Sequence, residues 1–151
     1  GRPNPPGPLA EYKAHYREFA NDALFPFGHG LTYGAIEYAG LDLGTGRMAG
    51  DGALTVRVTV GNAGRHAAEE TVQLYIRDLA ASITRPVREL KAFRKIALKP
   101  GERQVVTFTL RKADLMFVGR DLKPTVEPGW FQVWVAPSAQ AEGVSGEFTL
   151  A

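Results

Sequence analysis

Three histidines, His15, His29 and His66, and the neighbouring carboxylates Glu69 and Glu70 are the first side chains to test for chemistry in this 151-residue chain. None of the histidines forms a strong metal-ligand spacing with another ligand type. Glu69 and Glu70 are adjacent, so on a strand they point to opposite faces and are expected to be solvated. Asp114 and Asp121 stand in loop-like context, where aspartate favours local turn hydrogen bonds. The chain has no cysteine, which excludes disulfides, thiolate metal sites and thiol nucleophiles. Gly28-His29-Gly30 is no dinucleotide fingerprint, because Tyr33 stands where a third glycine would fall. There is no phosphate loop and no Gly-x-Ser-x-Gly elbow. The expectation is a chain with no catalytic residue, no metal and no cofactor.

Two other groups of residues remain. Trp130, Gln132 and Trp134 alternate with Phe131, Val133 and Val135. If the latter three face a core, the former share the opposite face. Two tryptophans there suit stacking on sugar rings, or burial against a partner domain or an N-terminal arm. In a shifted register the pair would lie inside instead. The second group is Leu24 to Tyr33, which gathers Leu24, Phe25, Phe27, Leu31 and Tyr33 around Pro26, Gly28 and Gly30. Proline removes a backbone donor and glycine permits bends, so a regular strand is not expected here. The stretch reads as a clamp that joins a tether to a β-domain and packs on both. His29 is either a donor toward a neighbouring domain or a turn residue in an unusual backbone.

The elements that must position these groups are strands. From Tyr33 onward, apolar and polar residues alternate. Ile36 and Tyr38 open the first strand, with Gly40 as a bulge before Leu41 and Leu43. A glycine-rich loop follows from Gly44 to Gly52. Leu54, Val56, Val58 and Val60 face inward on the second strand, then Asn62-Ala63-Gly64 turns. Val72, Leu74 and Ile76 face inward on the third, with Gln73, Tyr75 and Arg77 outward. The segment Ala80 to Arg88 is a polar loop. Leu90 to Leu98 is the fourth strand, with Leu90, Ile96 and Leu98 inward and Phe93 out of register. Lys99-Pro100-Gly101-Glu102 is a tight turn. Val106, Phe108 and Leu110 face inward on the fifth strand. Ala113-Asp114-Leu115 suits a single helical turn, and Met116 to Val118 a short strand. Pro128-Gly129 turns into the sixth strand. Val144, Phe148 and Leu150 share one face of the last.

About seven short strands, with no βαβ alternation, predict an all-β immunoglobulin or fibronectin type III-like sandwich. Residues 1–31 read as an extended arm and 32–151 as the sandwich. The four prolines among the first eight residues favour extended chain. Tyr12, Tyr16 and Phe19 have helical spacing, and equally suit resting on another surface. A first residue of glycine reads as a fragment or processed piece. A net charge of +2 demands no anionic partner. Between Arg77 and Arg103 eight Lys/Arg stand against three Asp/Glu, which reads as a solvated or docking face rather than a nucleic-acid stripe. No apolar run approaches the ~18 residues of a membrane span.

Residues 25–33 resemble the segment that leads into the C-terminal fibronectin type III-like domain of glycoside hydrolase family 3 enzymes of the β-glucosidase type. Residues 81–93, reading ASITRPVRELKAF, resemble that family's Ser-x-x-Arg-Pro-x-Lys/Arg-Glu-Leu-Lys-Gly-Phe segment. Leu98-Lys99-Pro100-Gly101-Glu102, Glu127-Pro128-Gly129 and Gly1-Arg2-Pro3 are similar to further family segments in the same order. Gly34-Ala35-Ile36, Trp130 and Ala136-Pro137 depart from the pattern.

The resemblance implies a parent that hydrolyses terminal β-D-glucosides with retention. Its two catalytic carboxyls, about 5 Å apart across the sugar, would lie upstream, so the chain alone is expected to be inactive. It implies docking on the parent's catalytic barrel and α/β domains through Phe25, Pro26, Phe27, Gly28, His29, Gly30, Leu31 and Tyr33. The loop at Thr84, Arg85 and Pro86 would approach the α/β domain or a second subunit of a homodimer. It also implies a periplasmic or secreted location. A free carbohydrate-binding module using Trp130 and Trp134, and an adhesion or assembly module, are the competing readings. Neither nucleic acid nor membrane is an expected partner.

Overall fold

The computed structural model describes residues 23–49, 52–80 and 87–151. The polar N-terminal segment, including His15, Tyr12, Tyr16 and Phe19, lies outside the described residues. So does the expected docking loop at Thr84, Arg85 and Pro86.

Among the described residues, ten strands and one helical turn follow in order. They are β1 (Ile36–Asp42), β2 (Arg47–Met48), β3 (Ala53–Asn62), β4 (Ala68–Asp78), β5 (Glu89–Leu98), β6 (Arg103–Arg111), α1 (Lys112–Leu115), β7 (Phe117–Val118), β8 (Pro124–Thr125), β9 (Gly129–Ala136) and β10 (Val144–Leu150). The seven long strands are those that the alternation predicts. One sheet has the order β1-β3-β6 and the other β2-β10-β9-β4-β5, with β7-β8 as a small ribbon. The two larger sheets face each other as a sandwich.

Period-two patterning explains the core. Val56, Val58 and Val60 of β3 meet Val106 and Leu110 of β6 from one sheet. Val72, Leu74 and Ile76 of β4, with Phe131, Val133 and Val135 of β9, meet them from the other. Phe131 and Phe148 pair across β9 and β10 with stacked rings 5.3 Å apart. The bulge expected at Gly40 appears as a register shift between Ala39 and Asp42, with Gly40 at φ 63°. The Lys99–Glu102 turn closes through Glu102 N–H to the Lys99 carbonyl at 3.0 Å, with Gly101 at φ 75°.

Four expectations need correction. Leu90, assigned to the core, pairs with Tyr75 across the bulge at Leu74 and Tyr75 and stands on the outer face instead. The glycine-rich loop contains β2, a two-residue strand that pairs parallel with β10 and buries Met48. Two residues are too few for periodicity to reveal. Tyr75 and Gln73, assigned to an outward face, are both buried. Their face of the sheet is covered by the clamp and by the segment around Pro137. Glu70, expected in solvent, is buried too. It accepts a hydrogen bond of 2.6 Å from the Tyr38 hydroxyl, which links β4 to β1 of the opposite sheet.

Asn62 shows how a polar residue survives inside. Its side-chain amide donates to the carbonyls of His66 and Leu98, and its oxygen accepts from the Gly64 N–H. Every polar atom of the buried amide is therefore used, which removes the penalty of burial.

Candidate functional site

The clamp lies on the outer face of the five-stranded sheet, across the first half of β4. Its backbone is fixed there. Pro26 to His29 forms a turn, with the His29 N–H donating to the Pro26 carbonyl at 3.0 Å. The Ala139 N–H donates to the Phe27 carbonyl at 2.9 Å. The Gln73 side-chain amide donates to the Gly28 carbonyl at 3.0 Å and also to the Pro137 carbonyl. Gly28 has φ 78°, a conformation that L side chains rarely adopt. A β-carbon there would also collide with the Gln73 side chain.

The clamp's apolar side chains do the opposite of its backbone. Leu24, Phe25, Phe27, Leu31 and Tyr33 are 68–94 % exposed. The sequence predicts packing on both the tether and the sandwich. The structure shows the sandwich contact made mostly by main chain, with the large side chains left exposed. Five such side chains within ten residues form an exposed apolar surface of the kind that marks an interaction site. The Phe25 and His29 rings meet each other, with centroids 5.2 Å apart.

A buried network holds this arrangement from below. The Tyr75 hydroxyl donates to Gln73 Oε1, so the amide that grips the clamp is itself oriented. Burial raises the Tyr75 pKa, which keeps the hydroxyl a donor. Arg88 enters beside it from the start of β5. Its guanidinium stacks on Trp134, 4.4 Å from the ring centroid, and donates to the Ala139 and Ala141 carbonyls at 2.9 and 2.7 Å. Burial pulls the Arg88 pKa down, with Tyr75 acting against it. Arg88 thus braces the 137–141 segment, whose Ala139 N–H holds Phe27.

The tryptophan face takes the register that the alternation predicts. Trp130, Gln132 and Trp134 are opposite Thr149, Glu147 and Ser145 of β10. Its two rings differ sharply in access. Trp134 is 8 % exposed beneath Arg88, whereas Trp130 is 56 % exposed. A flat platform of two tryptophans is therefore not presented, and Trp130 alone stands open. The sequence could not show this, because nothing in the spacing pairs Arg88 with Trp134.

The remaining candidates are engaged locally. Glu69 pairs with Lys95 at 2.6 Å, and Lys91 with Glu89 at 2.8 Å, which neutralises part of the basic excess around β5. Asp114 accepts from the Arg111 N–H and Asp121 from the Lys123 N–H, the turn roles expected of them. The His66 carbonyl serves Asn62. Among the described residues, no group of three or more His, Cys, Asp or Glu could hold a metal ion. No helix among them is long and apolar enough to cross a membrane.

Residues 70–139 match the family described as the fibronectin type III-like domain. The chain is 38 % identical to the periplasmic β-glucosidase of Salmonella typhimurium over 150 residues, covering 99 % of the chain and 20 % of that protein. It is 42 % identical to a β-xylosidase of Formosa agariphila over 130 residues, covering 86 % of the chain and 18 % of that protein. Among solved structures, the β-glucosidase of Listeria innocua in complex with isofagomine superposes with a TM-score of 0.84 at 36 % identity. That match covers 99 % of the chain and 21 % of the larger protein. The chain spans about a fifth of the length of the relatives it matches.

Proposed function

Since the chain belongs with the fibronectin type III-like domains of glycoside hydrolase family 3 enzymes of the β-glucosidase type, we propose that it is the non-catalytic structural module of such an enzyme. In this reading it docks on the parent's catalytic barrel and α/β domains and stabilises them. The parent carries the activity, retaining hydrolysis of terminal β-D-glucosides, with both catalytic carboxyls outside this module. The division into an arm over 1–31 and a sandwich over 32–151 is part of the proposal. So are a periplasmic or secreted location, an approach of the loop at Thr84, Arg85 and Pro86 to the α/β domain or to a second subunit of a homodimer, and the docking role of residues 25–31 and Tyr33.

The observation that carries this reading is the clamp. Main-chain hydrogen bonds fix its position, while its large apolar side chains stay exposed. Leaving such side chains in water is unfavourable, and covering them on a neighbour supplies roughly 25 cal/mol per Å² of apolar surface removed from water. An assay of the chain alone on an aryl β-glucoside tests the division of labour. No turnover is expected, and turnover would overturn it.

Trp130 supports a second reading, a surface that binds carbohydrate. Its open indole lies beside Thr149 and, one strand further, Arg47. Retention of the chain on insoluble glucan that is lost in Trp130→Ala would favour it; equal recovery of both proteins would dismiss it.

A further inference from the structure

A groove of about 360 Å³ runs between the clamp and the edge strand β5. Phe27 and Leu31 form one wall, Leu90 and Phe93 the other, and Thr71 and Gln73 of β4 the floor. Phe93 pairs with Gln73 across the ladder, so its ring stands on the same outer face. It is 68 % exposed.

That exposure is unusual for its position. Edge strands tend to carry charge that discourages unwanted pairing, and β5 does so with Lys91, Arg94 and Lys95. Phe93 interrupts this series. Glu69, Glu70 and Gln73, three polar residues of the groove, are already committed, Glu70 to the Tyr38 hydroxyl. Glu69 and Lys95 neutralise each other at the rim. The Gln73 amide donates twice and its oxygen accepts from Tyr75. What its two facing walls offer an occupant is apolar: Phe27 and Leu31 on one side, Leu90 and Phe93 on the other.

We propose that this groove receives an apolar side chain from the catalytic part of the parent polypeptide, and that Phe93 and Leu90 belong to the docking surface together with the clamp. This rests on the docking reading above. The occupant follows from the placement of the groove. One wall is the clamp, the stretch through which the chain enters the sandwich. The relatives carry about four fifths of their length outside the matched region.

The test is thiol labelling in the intact parent enzyme and in this chain alone. Three single cysteines are introduced at exposed positions: Thr71→Cys in the groove floor, Phe25→Cys in the clamp outside the groove, and Thr109→Cys on the opposite sheet as a reference. Maleimide modification is read at each residue by mass spectrometry. All three are expected to react alike in the chain alone. In the intact enzyme Thr71→Cys is expected to react at least tenfold more slowly than Thr109→Cys, at every protein concentration. If Phe25→Cys is protected while Thr71→Cys reacts like the reference, the groove proposal falls and clamp docking stands. If both react like the reference, both fall. Protection of Thr71→Cys that disappears on dilution means that a second copy fills the groove, which also overturns the proposal. Filling the groove with Thr71→Trp gives a second readout. It is expected to lower the melting temperature of the intact enzyme and leave that of the chain alone unchanged; equal melting temperatures for enzyme and variant would contradict it.

Discussion

Gln73 holds Gly28 across 45 residues of sequence, its side-chain amide donating to the glycine carbonyl at 3.0 Å. The same amide donates to the Pro137 carbonyl and its oxygen accepts from the Tyr75 hydroxyl. One buried side chain therefore joins the clamp, the segment after β9 and the sheet. Gln73→Leu would leave two carbonyls and a hydroxyl without this partner. A buried polar group left unpaired costs about 1–3 kcal/mol, so a loss of about 2 kcal/mol or more is expected in urea unfolding. Amide exchange should rise selectively at residues 27–29 and 139.

Gly28→Ala tests the same contact from the other side. The positive φ strains any β-carbon, and the added atom meets the Gln73 side chain. The expected result is release of the clamp with the sandwich intact. Limited proteolysis should cut near residues 25–31 faster than in the unaltered chain, while far-ultraviolet circular dichroism stays the same.

Much of this architecture is legible in the sequence, and the limits have physical causes. Alternation assigns Leu54 to Val60, Val106 to Leu110 and Phe131 to Val135 to the core, because a half-buried strand repeats every two residues. It says which residues share a face. It does not say whether that face is covered, and so Gln73, Tyr75 and Trp134 read as outward although each is buried. The composition of the clamp marks it as apolar and kinked. The hydrogen bonds that hold it come from Gln73 and Ala139, far along the chain, and no local pattern reports them.

Arg88→Ala is expected to uncover Trp134. A cation–π contact of this kind contributes on the order of 1–2 kcal/mol when shielded from water, and two carbonyl partners are lost with it. Tryptophan emission should shift to longer wavelength and acrylamide quenching should increase. In a Trp130→Phe background the shift should persist, which assigns it to Trp134.

Glu70 gives a pH dependence of definite sign. Burial raises its folded-state pKa above the ordinary 4.5, and the Tyr38 hydrogen bond opposes this only in part. The Tyr38 hydroxyl is itself raised above its ordinary value by burial first and by Glu70 second, so it remains the donor. A raised carboxyl means that the folded state holds its proton more tightly. That contribution is fully present below about pH 4.5 and is lost as pH rises through the folded-state value. Asp42 and Glu102 are lowered, chiefly by backbone hydrogen bonds, and act in the opposite sense. The difference between the chain and Glu70→Gln isolates the Glu70 part. The variant should gain melting temperature relative to the parent chain on going from pH 4 to pH 8. A constant difference would show that Glu70 titrates normally.

Phe148→Ala should remove the ring stacked on Phe131 in the fully buried core. Such truncations cost about 3–5 kcal/mol, a large share of the 5–15 kcal/mol typical of a domain. Chemical denaturation is expected to show a lower midpoint with an unchanged slope.

The most direct test of docking is calorimetry of the intact parent enzyme carrying Phe25→Ser and Phe27→Ser together. Both side chains are exposed in the chain itself, so the isolated module should melt as before. In the intact enzyme the account predicts that the module uncouples and melts as a separate transition at the temperature of the isolated chain. A single transition at the unaltered enzyme's temperature would contradict it.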